Sequence, residues 1–116
     1  MILITVEEDK KTISSRFRKA VNFVFLDEGQ VFIKKNPHKT SKSNEFFEYF
    51  KTLNVQSIYL KELGYKTFLR LEELGIEVYF VQEATSYNRI KPNDLLLINS
   101  KNAREFCSLG HYKKKK

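Results

Sequence analysis

Tryptophan is missing from this 116-residue chain, and cysteine occurs once, at Cys107. A single cysteine leaves no internal disulfide and no thiol-rich metal site to build. Glycine is held to four widely separated residues, so neither glycine-rich phosphate-binding fingerprint is present. No Gly-x-Ser-x-Gly turn occurs to strain a serine nucleophile. The two histidines, His38 and His111, stand far apart with no neighbouring carboxylate pattern, which reads as surface chemistry rather than catalysis. No apolar run approaches the roughly 20 residues of a membrane span. Met1 leads straight into "ILITV", too short for a secretory leader, and a cytoplasmic location is expected.

What the chain does have is phenylalanine and positive charge. Ten Phe and six Tyr supply much of a core in place of tryptophan. At this length one domain, taken as residues 1–112, buries roughly two-thirds of its unfolded surface and needs no metal or disulfide to fold. The net charge is +7, and four of the lysines form the terminal run Lys113–Lys116. That run reads as a disordered, solvated tail, whose field leaves nucleic acid as a less favoured partner.

Along the chain, Ile2–Val6 is a β-branched apolar run and reads as a strand buried on both faces. Val21–Leu26 and Gln30–Lys35 flank an Asp-Glu-Gly turn, a hairpin signal. "NPHKTSKS" (Asn36–Ser43) is the main break, with Ser41 or Ser43 as candidate helix caps. Phe46, Phe47, Phe50 and Leu53 then recur at helical spacing. Val55–Leu60 is the next strand; Tyr65, Phe68, Leu71 and Leu74 mark a second helix stopped by Gly75; Ile76–Val81 follows as a further strand. Beyond it, "QEATSYNRI" suggests a short helix capped by Thr85 or Ser86. "DLLLI" is compatible with a strand or a buried helical segment. "SKNAREFCSLG" suggests a helix capped by Ser100 and stopped by Gly110, with Ala103, Phe106 and Cys107 on its buried face. The order β-β-β-α-β-α-β-α implies an α/β protein with a mixed five-stranded sheet and helices on both faces, a three-layer α/β/α arrangement resembling the ribonuclease H-like architecture.

Nuclease chemistry needs carboxylates converging on cations about 4 Å apart. Glu7, Glu8 and Asp9 follow the first strand and Glu62 the fourth, but the central positions of the first four strands carry no Asp or Glu. The expectation is a protein that is not an enzyme, with no catalytic residues and no side-chain metal ligands. Cys107, on an apolar helical face, reads as a small core residue.

Three stretches resemble the dinitrogenase iron–molybdenum cofactor biosynthesis family, small cofactor-binding proteins of ribonuclease H-like fold. "ISSRFRKAVNFVFLDEG" is similar to the family's Ser-x-His-Phe-Gly loop leading into the second strand. "KKNPHKTSKSNEFFEYFKTLNVQSIYL" resembles its Asn-Pro loop, first helix and fourth strand, and "LGYKTFLRLEELGIEVYFV" its glycine-led second helix and fifth strand. The resemblance implies a cofactor site built from Ser14, Ser15, Arg16, Phe17 and Arg18 after the first strand, Asn36, Pro37 and His38 after the third, and Gly64 at the start of the second helix. Members of the family bind iron–molybdenum cofactor precursors or other metal–sulfur clusters, which are anionic. Here Arg16 stands at the family's loop histidine and Arg18 at its glycine, and "HKTSKSN" replaces a glycine- and histidine-rich stretch. Arginine donates hydrogen bonds and is not an ordinary metal ligand, so an anion held by charge is the expected cofactor. A protein partner is a further expectation. The alternative is a nucleic-acid or protein interaction module that keeps the fold and has lost the cofactor site.

Overall fold

The structure, a computed structural model, describes residues 1–108. β1 (Ile2–Val6), β2 (Asn22–Asp27) and β3 (Gln30–Lys35) form an antiparallel meander. β2 and β3 meet in a two-residue turn, Glu28-Gly29, where both residues take positive φ, 50° and 84°. Such a turn matches the right-handed twist of the strands it joins, and glycine takes the larger left-handed angle without steric cost.

The chain then crosses β1 through α1 (Ser43–Lys51) into β4 (Ser57–Leu60), and through α2 (Tyr65–Glu73) into β5 (Glu77–Val81). β4 runs parallel to β1, and β5 parallel to β4. A 3-10 turn at Tyr87–Arg89 follows Ser86, where a short helix is expected from the sequence. A second 3-10 turn at Pro92–Asp94 leads into β6 (Leu95–Ile98), which pairs antiparallel with β5. The order across the sheet is β3-β2-β1-β4-β5-β6, and α3 (Ala103–Phe106) follows.

Three features differ from the expectations. The sheet has six strands rather than five, because Leu95–Ile98 finds a pairing edge on β5, which periodicity alone does not reveal. The helices share one face rather than two. Phe46, Phe47 and Phe50 of α1, Phe68 and Leu71 of α2, and Ala103 and Cys107 at α3 join one core with Leu3, Phe23, Phe25, Ile58, Leu60, Val78 and Phe80. The reason is topological: β3 points the same way as β1, so β3-α1-β4 and β4-α2-β5 step in the same direction across the sheet. Two right-handed crossovers in one direction deposit both helices on one side. The other face is covered by irregular chain, with Ile13, Ala84, Tyr87 and Ile90 packed around Ile4, Val6, Val24 and Val81.

The third difference is the final helix, a single turn. Asn99 and Asn102 set its start, not Ser100: Asn99 Oδ1 accepts the Lys101 and Asn102 N–H groups, and Asn102 Oδ1 accepts the Asn99 N–H at 2.8 Å. Phe106 is exposed, whereas Ala103 and Cys107 are buried as expected. Gly110, His111 and the Lys113–Lys116 run lie outside the described residues. No helix among the described residues is long and apolar enough to cross a membrane.

Candidate functional site

The loops leaving β1 and β3 emerge at the same end of the sheet, because those strands run in the same direction on either side of β2. Each opens with the same local device, a side-chain oxygen accepting the N–H two residues on. Ser14 Oγ accepts from the Arg16 N–H at 3.0 Å, and Asn36 Oδ1 from the His38 N–H at 2.9 Å, across Pro37. Ser14 is buried and pinned to β1: its N–H donates to the Thr5 carbonyl at 2.8 Å, and its own carbonyl accepts the Thr5 hydroxyl at 3.4 Å.

Asn36 fastens the two loops together. Its Nδ2 donates to the carbonyls of Arg18 at 2.8 Å and Ala20 at 3.0 Å, and its backbone N–H donates to the Val21 carbonyl at 3.0 Å. Both amide protons are therefore committed inside the protein, where they hold the two loops together. Phe17 has a similar role from below. It is buried, with its ring edge-on to Phe46 and Phe50 at centroid distances of 5.1 and 5.3 Å. With Phe17 pointing into the core, Arg16 and Lys19 are left exposed and Arg18 half-buried.

Above this anchored base lies a cavity of about 450 Å³, open to solvent. Arg16, Arg18 and Lys19 line it from the β1–β2 loop, and Lys39, Thr40, Ser41, Lys42 and Ser43 from the β3–α1 loop. Five cations and no carboxylate face one concavity. Among the described residues the ion pair formed is Lys51 with Glu48, so none of the five is neutralised by an ion pair. A concave, single-sign surface of this kind focuses its field and draws anions. α1 opens onto the same space. Its N-cap residue, Lys42, makes no side-chain capping bond. Glu45 Oε1 returns to the Lys42 N–H at 3.1 Å. Arg70, stacked 4.1 Å over Phe47, donates to Ser43 Oγ at 3.1 Å and steadies the first turn. The positive end of the helix dipole adds to the cationic lining.

The remaining expected site residues fall elsewhere. His38 is half-buried beside the cavity, its Nδ1 2.8 Å from Ser41 Oγ and its ring 4.9 Å from that of Tyr49. Pro37 and Ser15 are exposed and do not line the cavity. Gly64 does not join it either. The Tyr65 N–H donates to the Ser108 carbonyl at 2.8 Å, and the Ser108 N–H donates to the Leu63 carbonyl at 3.0 Å. A short parallel bridge between Gly64 and Ser108 thus covers the start of α2.

The carboxylates after β1 form no metal site. Asp9 accepts the Thr12 hydroxyl at 2.5 Å and the Thr12 and Lys11 N–H groups at 2.8 and 2.9 Å. These bonds, led by the Thr12 side chain, lower its pKa to about 2. Among the described residues no group of three or more His, Cys, Asp or Glu stands together as a metal site. Sequence reasoning missed Lys19, Lys39, Thr40, Ser41, Lys42 and Ser43 as lining residues. The available signal was the absence of any Asp or Glu from Lys10 to Leu26 and from Gly29 to Asn44.

No family model and no curated protein sequence matches this chain. Solved structures do. The apo form of the orange protein from Desulfovibrio gigas superposes with a TM-score of 0.68 at 18% identity, over 84% of this chain and 91% of that one. The crystal structure of a protein designated PH0822 gives a TM-score of 0.66 at 19% identity, over 85% of this chain and 95% of that one. At these identities the likeness is one of fold: a small mixed α/β fold shared across nearly the whole length of each neighbour.

Proposed function

We propose that this chain is a non-enzymatic binding protein that holds an anionic cofactor by charge between its β1–β2 and β3–α1 loops. The observation that carries the reading is the convergence of Arg16, Arg18, Lys19, Lys39 and Lys42 on one cavity with no carboxylate among them. Two likenesses support a cofactor as the anion. The motifs resemble the nitrogenase-cofactor biosynthesis family, and the orange protein, a structural neighbour, is described in an apo form. On this reading the strand order β3-β2-β1-β4-β5 is the ribonuclease H-like inheritance and β6 an addition at its edge.

The residues at the cavity suit an anion and do not suit a coordinated metal. The lining offers guanidinium, ammonium and hydroxyl groups and no thiolate. Cys107 lies in the helix-face core, where burial pushes its thiol up to about 11. Arginine presents a permanently charged fork of donors to acceptors on an anion. A metal–sulfur cluster, if that is the cargo, is gripped by charge-assisted hydrogen bonds to its outer atoms.

The test is to purify the protein anaerobically, mix it with an anionic iron–sulfur cluster, and follow visible absorption through gel filtration. The expected result is a chromophore that co-elutes with the protein at low salt. It is lost at high salt and in the Arg16→Ala/Arg18→Ala variant, since exposed charges are screened beyond a Debye length. A wild-type protein that carries no chromophore overturns the cluster reading.

A further inference from the structure

We propose that two copies of this chain pair through β3, the edge strands lying antiparallel about a two-fold axis at Phe32. This rests on the sheet edge and is independent of the cationic cavity. β3 ends the six-stranded order, and all six of its residues are exposed. Val31, Phe32 and Ile33 are 49%, 49% and 41% accessible, three large apolar side chains in succession that join neither core cluster.

Edge strands are commonly blunted by proline, a bulge, a covering element, shortness or charged side chains, lysine above all. Of these β3 has only Lys34 and Lys35, at one end, and they leave Gln30–Ile33 unguarded. It contains no proline, and its register with β2 runs without interruption from Asn22 opposite Lys35 to Asp27 opposite Gln30. The other edge, β6, has four residues against six for β3. With a two-residue turn closed by Asp27 and Gln30, alternate residues Val31, Ile33 and Lys35 direct their N–H and C=O groups away from β2.

Charge selects the occupant and its direction. β3 begins beside the acidic turn Asp27-Glu28 and ends in Lys34-Lys35. A parallel second copy would set lysine against lysine, which is destabilising. With the axis at Phe32, Val31 faces Ile33 and Gln30 faces Lys34. The Lys34-Lys35 end of each copy then lies beside the acidic turn of the other. The two Phe32 rings meet across the axis, and the contact is isologous, as closed dimers require.

The test is sedimentation of the full chain at rising concentration. The expected result is a mass approaching twice 13.8 kDa for wild type. Phe32→Lys and Ile33→Pro are expected to stay at the single-chain mass with unchanged far-ultraviolet circular dichroism. Proline at position 33 removes an outward N–H and leaves pairing to β2 in place. On oxidation, Phe32→Cys is expected to form a disulfide dimer and Gln30→Cys to form little. A wild-type mass that stays single up to about 1 mM overturns the proposal, leaving the edge for an extended segment of another protein. So does a dimer that survives both substitutions, or equal cross-linking from positions 30 and 32. Arg16→Ala/Arg18→Ala leaves this association unchanged, so its outcome is separable from that of the anion reading.

Discussion

The starts of α1 and α2 are a natural pair to compare. Both helices follow a parallel-directed strand, both span nine residues, and both lie on the same face of the sheet. Each carries a positive dipole end with amide groups that its own first turn cannot satisfy. At α2 the chain meets that demand itself, through the Ser108 carbonyl on the Tyr65 N–H. At α1 the N-cap residue Lys42 offers no side-chain cap, Glu45 returns to the Lys42 N–H alone, and the adjoining cavity is lined by five cations. A helix start becomes a candidate site through what surrounds it, and the presence of a strand-loop-helix step is not enough.

Removing the support beneath the α1 site should have the largest effect. Phe17→Ala empties a space bounded by Phe46, Phe47 and Phe50, and should cost about 3–5 kcal/mol in urea unfolding. Anion binding should weaken with it, since Arg16 and Arg18 flank the lost anchor.

Asn36→Ala comes next. It strips the carbonyls of Arg18 and Ala20 of a shared donor and unties the two cationic loops. A loss of about 2 kcal/mol in urea unfolding is expected, because buried acceptors left without partners carry their full desolvation cost. Weaker anion retention should accompany it.

Ser108→Pro sharpens the contrast from the other side. It removes the N–H that donates to the Leu63 carbonyl, and should lower stability by about 1 kcal/mol. Anion binding should not change, because the start of α2 does not line the cavity. A gain or loss of binding in this variant would erase the distinction between the two helix starts.

A pH dependence is expected beside that covering segment, and it leaves the cavity untouched. Burial raises the Cys107 thiol from 9.0 to about 11 in the folded state. A raised folded pKa gives stability that is complete below pH 9 and lost as pH rises towards 11, since the unfolded chain releases the proton first. Urea midpoints measured from pH 8 to 11 should fall through that window, and the fall should vanish in Cys107→Ala. Alkylation at pH 8 should be slow until the protein is unfolded.

Much of the fold was legible because its signals are local. The β2–β3 hairpin announces itself in two β-rich runs around Glu28-Gly29, and the phenylalanine stripe of α1 shows at helical spacing. The placement of β6 was not legible, since whether Leu95–Ile98 is extended depends on an edge supplied by β5. The site was readable in part. Arg16 and Arg18 were named from their loop, but Lys39 and Lys42 enter the cavity only because Asn36 draws the second loop against the first. Phe17 and Ser14 were named from the same loop, and both are buried beneath it.

By itself, then, the sequence determined which segments are strands and helices up to Val81, which side chains are apolar enough to bury, and that the loops after β1 and β3 carry positive charge. These follow from periodicity and turn chemistry, which act over a few residues. Only the tertiary structure decided that both crossover helices share one face, that Ser108 covers the start of α2, and that five cations meet in one cavity beside the start of α1. Each of those depends on strand direction and on contacts between residues distant in the chain, and short-range propensities carry no record of them.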